Sequence, residues 1–96
     1  MKRNDFVIVR TYSAGVFFGK LVQRNGREVV LKNAIRIWSW SGASSLSQLA
    51  MEGTSNPSGC KFAMAVGEVL LLETIEVIVA TTRARKSIEG VTPWKS

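Results

Sequence analysis

The first third of the chain alternates apolar and polar positions with the two-residue period of β-strands. Phe6–Val9 is a run of aromatic and β-branched residues, and Val16–Gln23 places alternate side chains on opposite faces. Tyr12–Gly15, between the two runs, has the composition of a turn. We therefore expect two strands joined by a tight turn.

The dipeptide Asn25-Gly26 follows the second run and predicts a hairpin. Both residues tolerate the positive φ angles that the central positions of a type I′ turn require. Glu28–Lys32 continues the strand pattern beyond the turn. We expect Val16–Gln23 and Glu28–Lys32 to pair as antiparallel strands.

A further alternating run, Ile35–Trp40, begins after a short connection at Asn33-Ala34. Alternation in a strand places Ile35 and Ile37 on one face. The opposite face of this strand then carries Arg36, Trp38 and Trp40.

The next residues predict a short helix and an exposed loop. An apolar stripe within residues 46–50 has the spacing of one buried helix face, and Ser44 or Ser45 before it is a suitable N-cap. Gly53 is placed to end this helix. Residues 54–59 are turn formers throughout, which predicts an exposed loop.

The C-terminal third is rich in β-branched residues and ends in a basic segment. Cys60–Met64 and Ile75–Thr81 have strand patterns, while Val66–Leu72 fits a strand or a helix. Thr82–Gly90 predicts a basic helical turn that its final glycine ends. We expect Trp94 to pack back on the domain or to anchor a neighbouring molecule.

These elements predict a mainly β fold in one domain over residues 1–96. We expect a small SH3-like or Sm-like barrel, with one short helix after the third strand and a short basic helical turn near the C-terminus. A chain of 96 residues buries a smaller fraction of its surface than a large domain does, so self-association is a natural source of further burial. We therefore expect a homo-oligomer.

Four short patterns in the first third carry a family resemblance: Val7-x-Val9-Arg10, Gly15-x-Phe17-x-Gly19-x-Leu21, Val29-x-Leu31 and Ala34-x-x-Ile37. They resemble the first motif of Sm-like proteins, a family of small SH3-like barrels that assemble into rings and bind RNA. The resemblance implies a strongly bent barrel. The family's RNA-contacting residues are not carried over, because residues 23–26 lack its Asp and Asn pair.

The composition excludes most enzyme classes. Histidine is absent, so the commonest general base, nucleophile partner and metal ligand are missing. Cys60 is the single cysteine, which excludes an internal disulfide and predicts a small buried hydrophobe. We predict no catalytic residue, no cofactor and no metal.

The N-terminal segment predicts neither a signal peptide nor a membrane span, because its apolar run is interrupted at Arg10. We expect a protein that contacts no membrane and stays in the cytoplasm of the cell that makes it. Lys and Arg number 13 against 7 acidic residues, a net charge of +6. This balance favours an anionic partner.

One contiguous segment combines the chemistry that binds a nucleotide. Indole rings stack on bases, a guanidinium pairs with phosphate in a fork geometry, and the free amides at a helix N-terminus, with nearby hydroxyls, attract anions. The predicted ligand-binding residues are Arg36, Trp38, Trp40, Ser44 and Ser45. The alternative is structural: both tryptophans cover the core or an interface, the arginine is solvated and a serine is an ordinary N-cap.

A second set of basic residues predicts weaker contacts to phosphate or nucleic acid. A solvated surface is the alternative for all of them. The set consists of Lys20, Lys32, Arg83, Arg85 and Lys86.

The whole chain also looks like short accessory proteins encoded by tailed bacteriophages and prophages, above all in Ile37–Ala50 and Cys60-Lys61-Phe62. This resemblance implies a protein that neutralises a host component of the bacterial cell. Our first hypothesis is a non-enzymatic anti-defence protein that oligomerises and sequesters a nucleotide, including cyclic and signalling nucleotides.

Two alternatives remain open from the sequence. One is an Sm-like ring that binds RNA or single-stranded DNA through the same aromatic and basic residues. The other is an inhibitor of a host enzyme that binds through an exposed apolar patch at Phe18, Trp94 and the loop over 54–59.

Overall fold

The computed structural model describes residues 1–95. This part of the chain contains six strands and two short α-helices. The predicted mainly β class is confirmed. The strands are β1 (Phe6–Thr11), β2 (Val16–Asn25), β3 (Glu28–Ser39), β4 (Lys61–Phe62), β5 (Val66–Leu71) and β6 (Thr74–Val79). The helices are α1 (Leu46–Glu52) and α2 (Thr82–Glu89), and Pro57–Gly59 forms a 3-10 turn.

All strand pairings are antiparallel, and β3 is the strand on which the sheet is built. β1, β2 and β3 form a meander, β6 pairs with β1, and both β4 and β5 pair with β3. The prediction of two strands separated at Asn33-Ala34 is wrong, because β3 runs through these residues without a break. Asn33 has a φ of 51°, and the β2–β3 register shifts there, so a bulge bends one continuous strand.

The sheet is curled but is not closed by hydrogen bonds. β5 lies at one edge and β6 at the other, yet only Leu72 and Glu73 connect them. Three residue steps span at most about 11 Å, so the two edges approach each other at this link. Within residues 1–95, no ladder joins β5 to β6, and the predicted barrel is therefore an open, curled sheet.

Each face of the sheet has its own core. The inner core receives side chains from β1, β2, β3 and β5 and none from a helix: Val7, Val9, Phe17, Leu21, Val29, Leu31, Ala34 and Leu71. The outer core joins the other face to both helices: Ile8, Phe18, Ile37, Leu49, Ala50, Cys60, Phe62, Ile88 and Val91. Phe18 is 0% exposed, so its predicted place in an exposed apolar patch is wrong.

The hairpin is confirmed, but its turn lies one residue later than the sequence indicates. Asn25 pairs with Glu28, so Gly26 and Arg27 are the central residues of the turn. Gly26 has a φ of 62°, whereas neither Asn25 nor Arg27 has a positive φ. This matches a turn that needs a positive φ at its first central position only.

Helix α1 has the predicted N-cap and end, and α2 ends at the predicted glycine. The Ser45 hydroxyl accepts a hydrogen bond from Gln48 N at the start of α1, and Gly53 ends this helix with a φ of 78°. The Thr81 hydroxyl caps α2, which ends at Gly90. In residues 1–95, neither helix has the length and apolar character needed to cross a membrane.

Candidate functional site

Arg36 projects from β3 toward the inner side of the curled sheet. It lies directly opposite Phe17, and its guanidinium carbon is 4.8 Å from the centre of the Phe17 ring and 5.4 Å from that of Trp38. Both distances are within the range of cation–π attraction. Two aromatic rings therefore hold the guanidinium at the rim of the inner core.

The guanidinium faces a groove of about 350 Å³, which we call the Arg36 groove. Its walls are mainly apolar and include Phe17, Ala34, Trp38, Met64, Val66 and Val69. A smaller cavity of about 230 Å³ lies beside it and shares Phe17, Arg36 and Val69 with it. Apolar clefts of this size with one fixed polar group are typical small-molecule sites.

The Nε atom of Arg36 is buried and has no hydrogen-bond acceptor within residues 1–95. The ion pairs in this part of the chain use other cations, Arg10 with Glu76 and Arg85 with Glu89. A buried N–H group without an acceptor costs about 1–3 kcal/mol. An anion that accepts from Arg36 would recover this free energy.

Trp38 is 58% exposed and forms one wall of the Arg36 groove. Its ring is thus free to stack on a planar ligand while it contacts the guanidinium. The alternative in which Trp38 covers the core is therefore wrong, whereas a place in an interface between copies stays a prediction.

The other three predicted ligand-binding residues have structural contacts, and none of them lines the Arg36 groove. Trp40 follows the end of β3, packs against the outer core and donates from Nε1 to the Ala43 carbonyl at 3.1 Å. The Ser44 hydroxyl donates to Gln48 Oε1 at 2.8 Å, and Ser45 is the N-cap of α1. The structure therefore brings together Arg36 and Trp38 and separates them from the rest of the predicted site.

Three of the predicted basic residues form a row on the outer face, which we call the basic row. Lys20 lies directly opposite Phe6 on one side and Lys32 on the other, and the Arg85 guanidinium carbon is 3.7 Å from the centre of the Phe6 ring. Glu68 lies opposite Lys32 at the far end of the row, and Arg85 Nε is 3.3 Å from Glu89.

The remaining two basic residues, Arg83 and Lys86, are exposed on α2. The sequence alone missed the apolar walls that Met64, Val66 and Val69 give the groove. Their only signal was the apolar content of residues 60–72, which fits a buried strand equally well.

Cys60 is 8% exposed and contributes to the outer core, which confirms the prediction of a small buried hydrophobe. Its sulfur also accepts a hydrogen bond from Ser41 N at 3.4 Å. No group of three or more His, Cys, Asp or Glu side chains within residues 1–95 is arranged to hold a metal ion.

Comparison with known proteins identifies one family. No curated protein and no solved structure matches the chain. Residues 4–88, which include every strand and nearly all of α2, match the family described as "Domain of unknown function (DUF6948)". Because the match covers most of the sequence, the chain belongs to the DUF6948 family.

Proposed function

We propose that this protein binds a small phosphate-bearing ligand, most specifically a nucleotide, in the Arg36 groove. The observation that carries the proposal is the Arg36 guanidinium, which lies against Phe17 and Trp38 with its Nε buried and without an acceptor in residues 1–95. A guanidinium that is held in place and still lacks an acceptor is positioned to bind an anion. The apolar walls around it are suited to the rest of a nucleotide.

The two parts of the ligand have separate partners. A phosphate group accepts hydrogen bonds from the guanidinium, and such charge-assisted bonds contribute about 1.5–3 kcal/mol each. A base stacks on the exposed face of Trp38, a contact worth roughly 1–3 kcal/mol. Met64 and Val66 give the groove further apolar surface against which the ligand would pack.

The role that fits this binding is sequestration, by a phage-type accessory protein in the bacterial host cytoplasm. The ligand class includes cyclic and signalling nucleotides used in host defence. Sequestration needs affinity and stoichiometric amounts of protein but no bond-breaking step. Sequestration therefore requires no functional group of the chain other than those of the Arg36 groove.

Assembly into a homo-oligomer is part of the proposal. Within residues 1–95, β5 pairs with β3 along one side only. Val66 and Leu70 in this strand, and Leu72 directly after it, are at least half exposed. An exposed apolar edge strand is a natural site for pairing with another chain. Because Val66 also lines the Arg36 groove, a neighbouring copy at this edge would lie close to the ligand.

The test is calorimetric titration with a panel of mono-, di- and cyclic nucleotides, together with native mass spectrometry of the oligomer. We expect a fixed number of nucleotides per oligomer. Arg36→Gln should weaken binding roughly tenfold or more, and Trp38→Ala should cost about 1–3 kcal/mol of binding free energy.

The controls match each variant in residue type. Arg3→Gln removes an exposed arginine that precedes β1 and does not line the Arg36 groove, and Trp94→Ala removes a tryptophan that is about as exposed as Trp38. Both should bind like the parent protein. Failure of the parent to bind any nucleotide of the panel, or equal losses in the controls, would overturn the proposal.

A second candidate function is binding of RNA or single-stranded DNA along the basic row. The observation that favours it is the direct opposition of Lys20 and Lys32, since like charges in this position destabilise a sheet unless an anion lies between them. A polyanion bound here should dissociate steeply with added salt and bind more tightly as its length grows. A ligand in the Arg36 groove should show neither dependence to the same degree.

A further inference from the structure

A separate cavity lies at the end of the sheet where the β2–β3 turn meets the start of β6. It has a volume of about 380 Å³, and its walls include Arg24, Gly26, Arg27, Thr74, Glu76 and Val77. This volume is within the usual range of about 300–1,000 Å³ for small-molecule sites. None of these residues lines the Arg36 groove.

The charges around this cavity are unbalanced in favour of cations. Arg24 and Arg27 are exposed, and neither takes part in an ion pair within residues 1–95. The carboxylate of the wall, Glu76, is already paired with Arg10, whose Nε lies 3.1 Å from Glu76 Oε1. Two guanidinium groups are thus available to bind an anion that enters the cavity.

Backbone pairing fixes Arg24 within the β2–β3 hairpin and Arg27 against the start of β6. Arg24 pairs with Val29 in the β2–β3 ladder, and Thr74 N donates a hydrogen bond to the Arg27 carbonyl at 3.1 Å. Gly26 lies between them in the turn and brings no side chain into the opening. The arginine backbones are therefore fixed before any ligand binds.

The wall also contains an unsatisfied hydroxyl group. Thr74 Oγ1 is buried and has no hydrogen-bond partner within residues 1–95. Buried side-chain polar atoms in proteins nearly always have a partner. Thr74 lines the same cavity as Arg24 and Arg27, and a hydroxyl together with two guanidinium groups is a donor set that recognises an oxyanion.

We propose that this cavity binds the phosphate group of a small phosphate monoester, with Arg24 and Arg27 neutralising the dianion and the Thr74 hydroxyl donating to one of its oxygens. The site is distinct from the Arg36 groove and does not rest on the function proposed for it. Two arginines suit a dianion better than a singly charged carboxylate, because they supply two charges and several donors in fork geometry.

The test uses inorganic phosphate and phenyl phosphate as probes, followed by calorimetry and by the backbone amide spectrum of the ¹⁵N-labelled protein. We expect saturable binding with the largest shifts in residues 24–27 and 74–77. Arg24→Gln and Arg27→Gln should each weaken binding roughly tenfold, the size of one charge-assisted hydrogen bond.

Thr74 distinguishes a binding role from a merely structural one. Thr74→Val keeps the shape of the side chain, so the variant should fold with unchanged or higher stability and bind phosphate more weakly. Thr74→Ser keeps the hydroxyl and should restore binding. If Thr74→Val binds like the parent, the hydroxyl is not part of the site and the proposed donor set is wrong.

A matched control separates this site from general charge. Lys61→Gln makes the same change in net charge on β4, outside both this cavity and the Arg36 groove, so it should retain phosphate binding. Equal loss in Lys61→Gln, no saturable binding by the parent, or binding of inorganic phosphate without phenyl phosphate would overturn the proposal. Amide shifts in residues 24–27 and 74–77 distinguish binding here from binding in the Arg36 groove.

Discussion

Phe17 lies directly opposite Arg36 in the β2–β3 ladder, and the guanidinium carbon is 4.8 Å from the centre of the phenyl ring. The ring stabilises the charge without accepting from the buried Nε. Arg36→Met keeps much of the apolar part of the side chain and removes the Nε–H group, a buried donor that has no acceptor. We expect the free energy of unfolding in urea to be unchanged or higher, by up to about 1–3 kcal/mol, whereas nucleotide binding is lost. A clear loss of stability would mean that Arg36 has a structural partner.

Gly19 sits at the bulge where β3 bends. A Cβ at this position would lie 3.1 Å from both Leu31 Cβ and the Lys32 carbonyl oxygen, in a well-packed part of the inner core. We expect Gly19→Ala to lower the free energy of unfolding by about 1–3 kcal/mol, as overpacking does. Gly67 in β5 is the matched control, since a Cβ there meets no atom within 4 Å. Gly67→Ala should leave stability unchanged or raise it by up to about 1 kcal/mol, and thermal unfolding of the pair checks both.

The basic row gives an asymmetric prediction. Lys20→Glu places a carboxylate directly opposite Lys32 and should raise stability by about 0.2–1 kcal/mol at low salt. Lys32→Glu creates the same pair with Lys20 but also faces Glu68, so its gain should be smaller or absent. Chemical unfolding at low and high salt measures the difference, which should shrink as salt screens the charges. Equal effects of the two variants would contradict the observed register.

Ser45 tests whether a residue predicted as ligand-binding has a structural role. Its hydroxyl accepts from Gln48 N at 3.1 Å, so Ser45→Ala should cost about 0.5–2 kcal/mol of stability. Ser47, an exposed serine within the same helix, is the control, and Ser47→Ala should have little effect. Neither variant should change nucleotide affinity. If the folded Ser45→Ala variant binds nucleotide more weakly, Ser45 contacts the ligand after all.

The sequence predicted local features well because local chemistry determines them. Ser45 and Gly53 are recognisable as helix caps from residue type and position, and Phe17 belongs to a strand with a clear two-residue period. The bulge at Asn33 was not predictable in this way, since the same residue type also favours the connection that was expected. It changes which side chains of β3 face inward.

The candidate site was half predictable for the same reason. Arg36 and Trp38 follow the strand period and share the groove, whereas Trp40 lies beyond the end of β3 and turns to the outer core. The groove itself depends on Met64 and Val69, which long-range pairing brings to β3. The hairpin predicted from the sequence already brings Lys20 and Lys32 near each other, and the structure places them directly opposite.

The pairing of β1 with β6 sets the order of events during synthesis. Val7 lies opposite Val79, so β1 cannot pair with its second neighbour, β6, until almost the entire chain has been synthesised. At about 5–20 residues per second, this edge of β1 stays open for several seconds on the ribosome. Chains that stop before β6 begins at Thr74 keep that edge permanently unpaired. Such truncated products are the species from which aggregation through strand pairing would start.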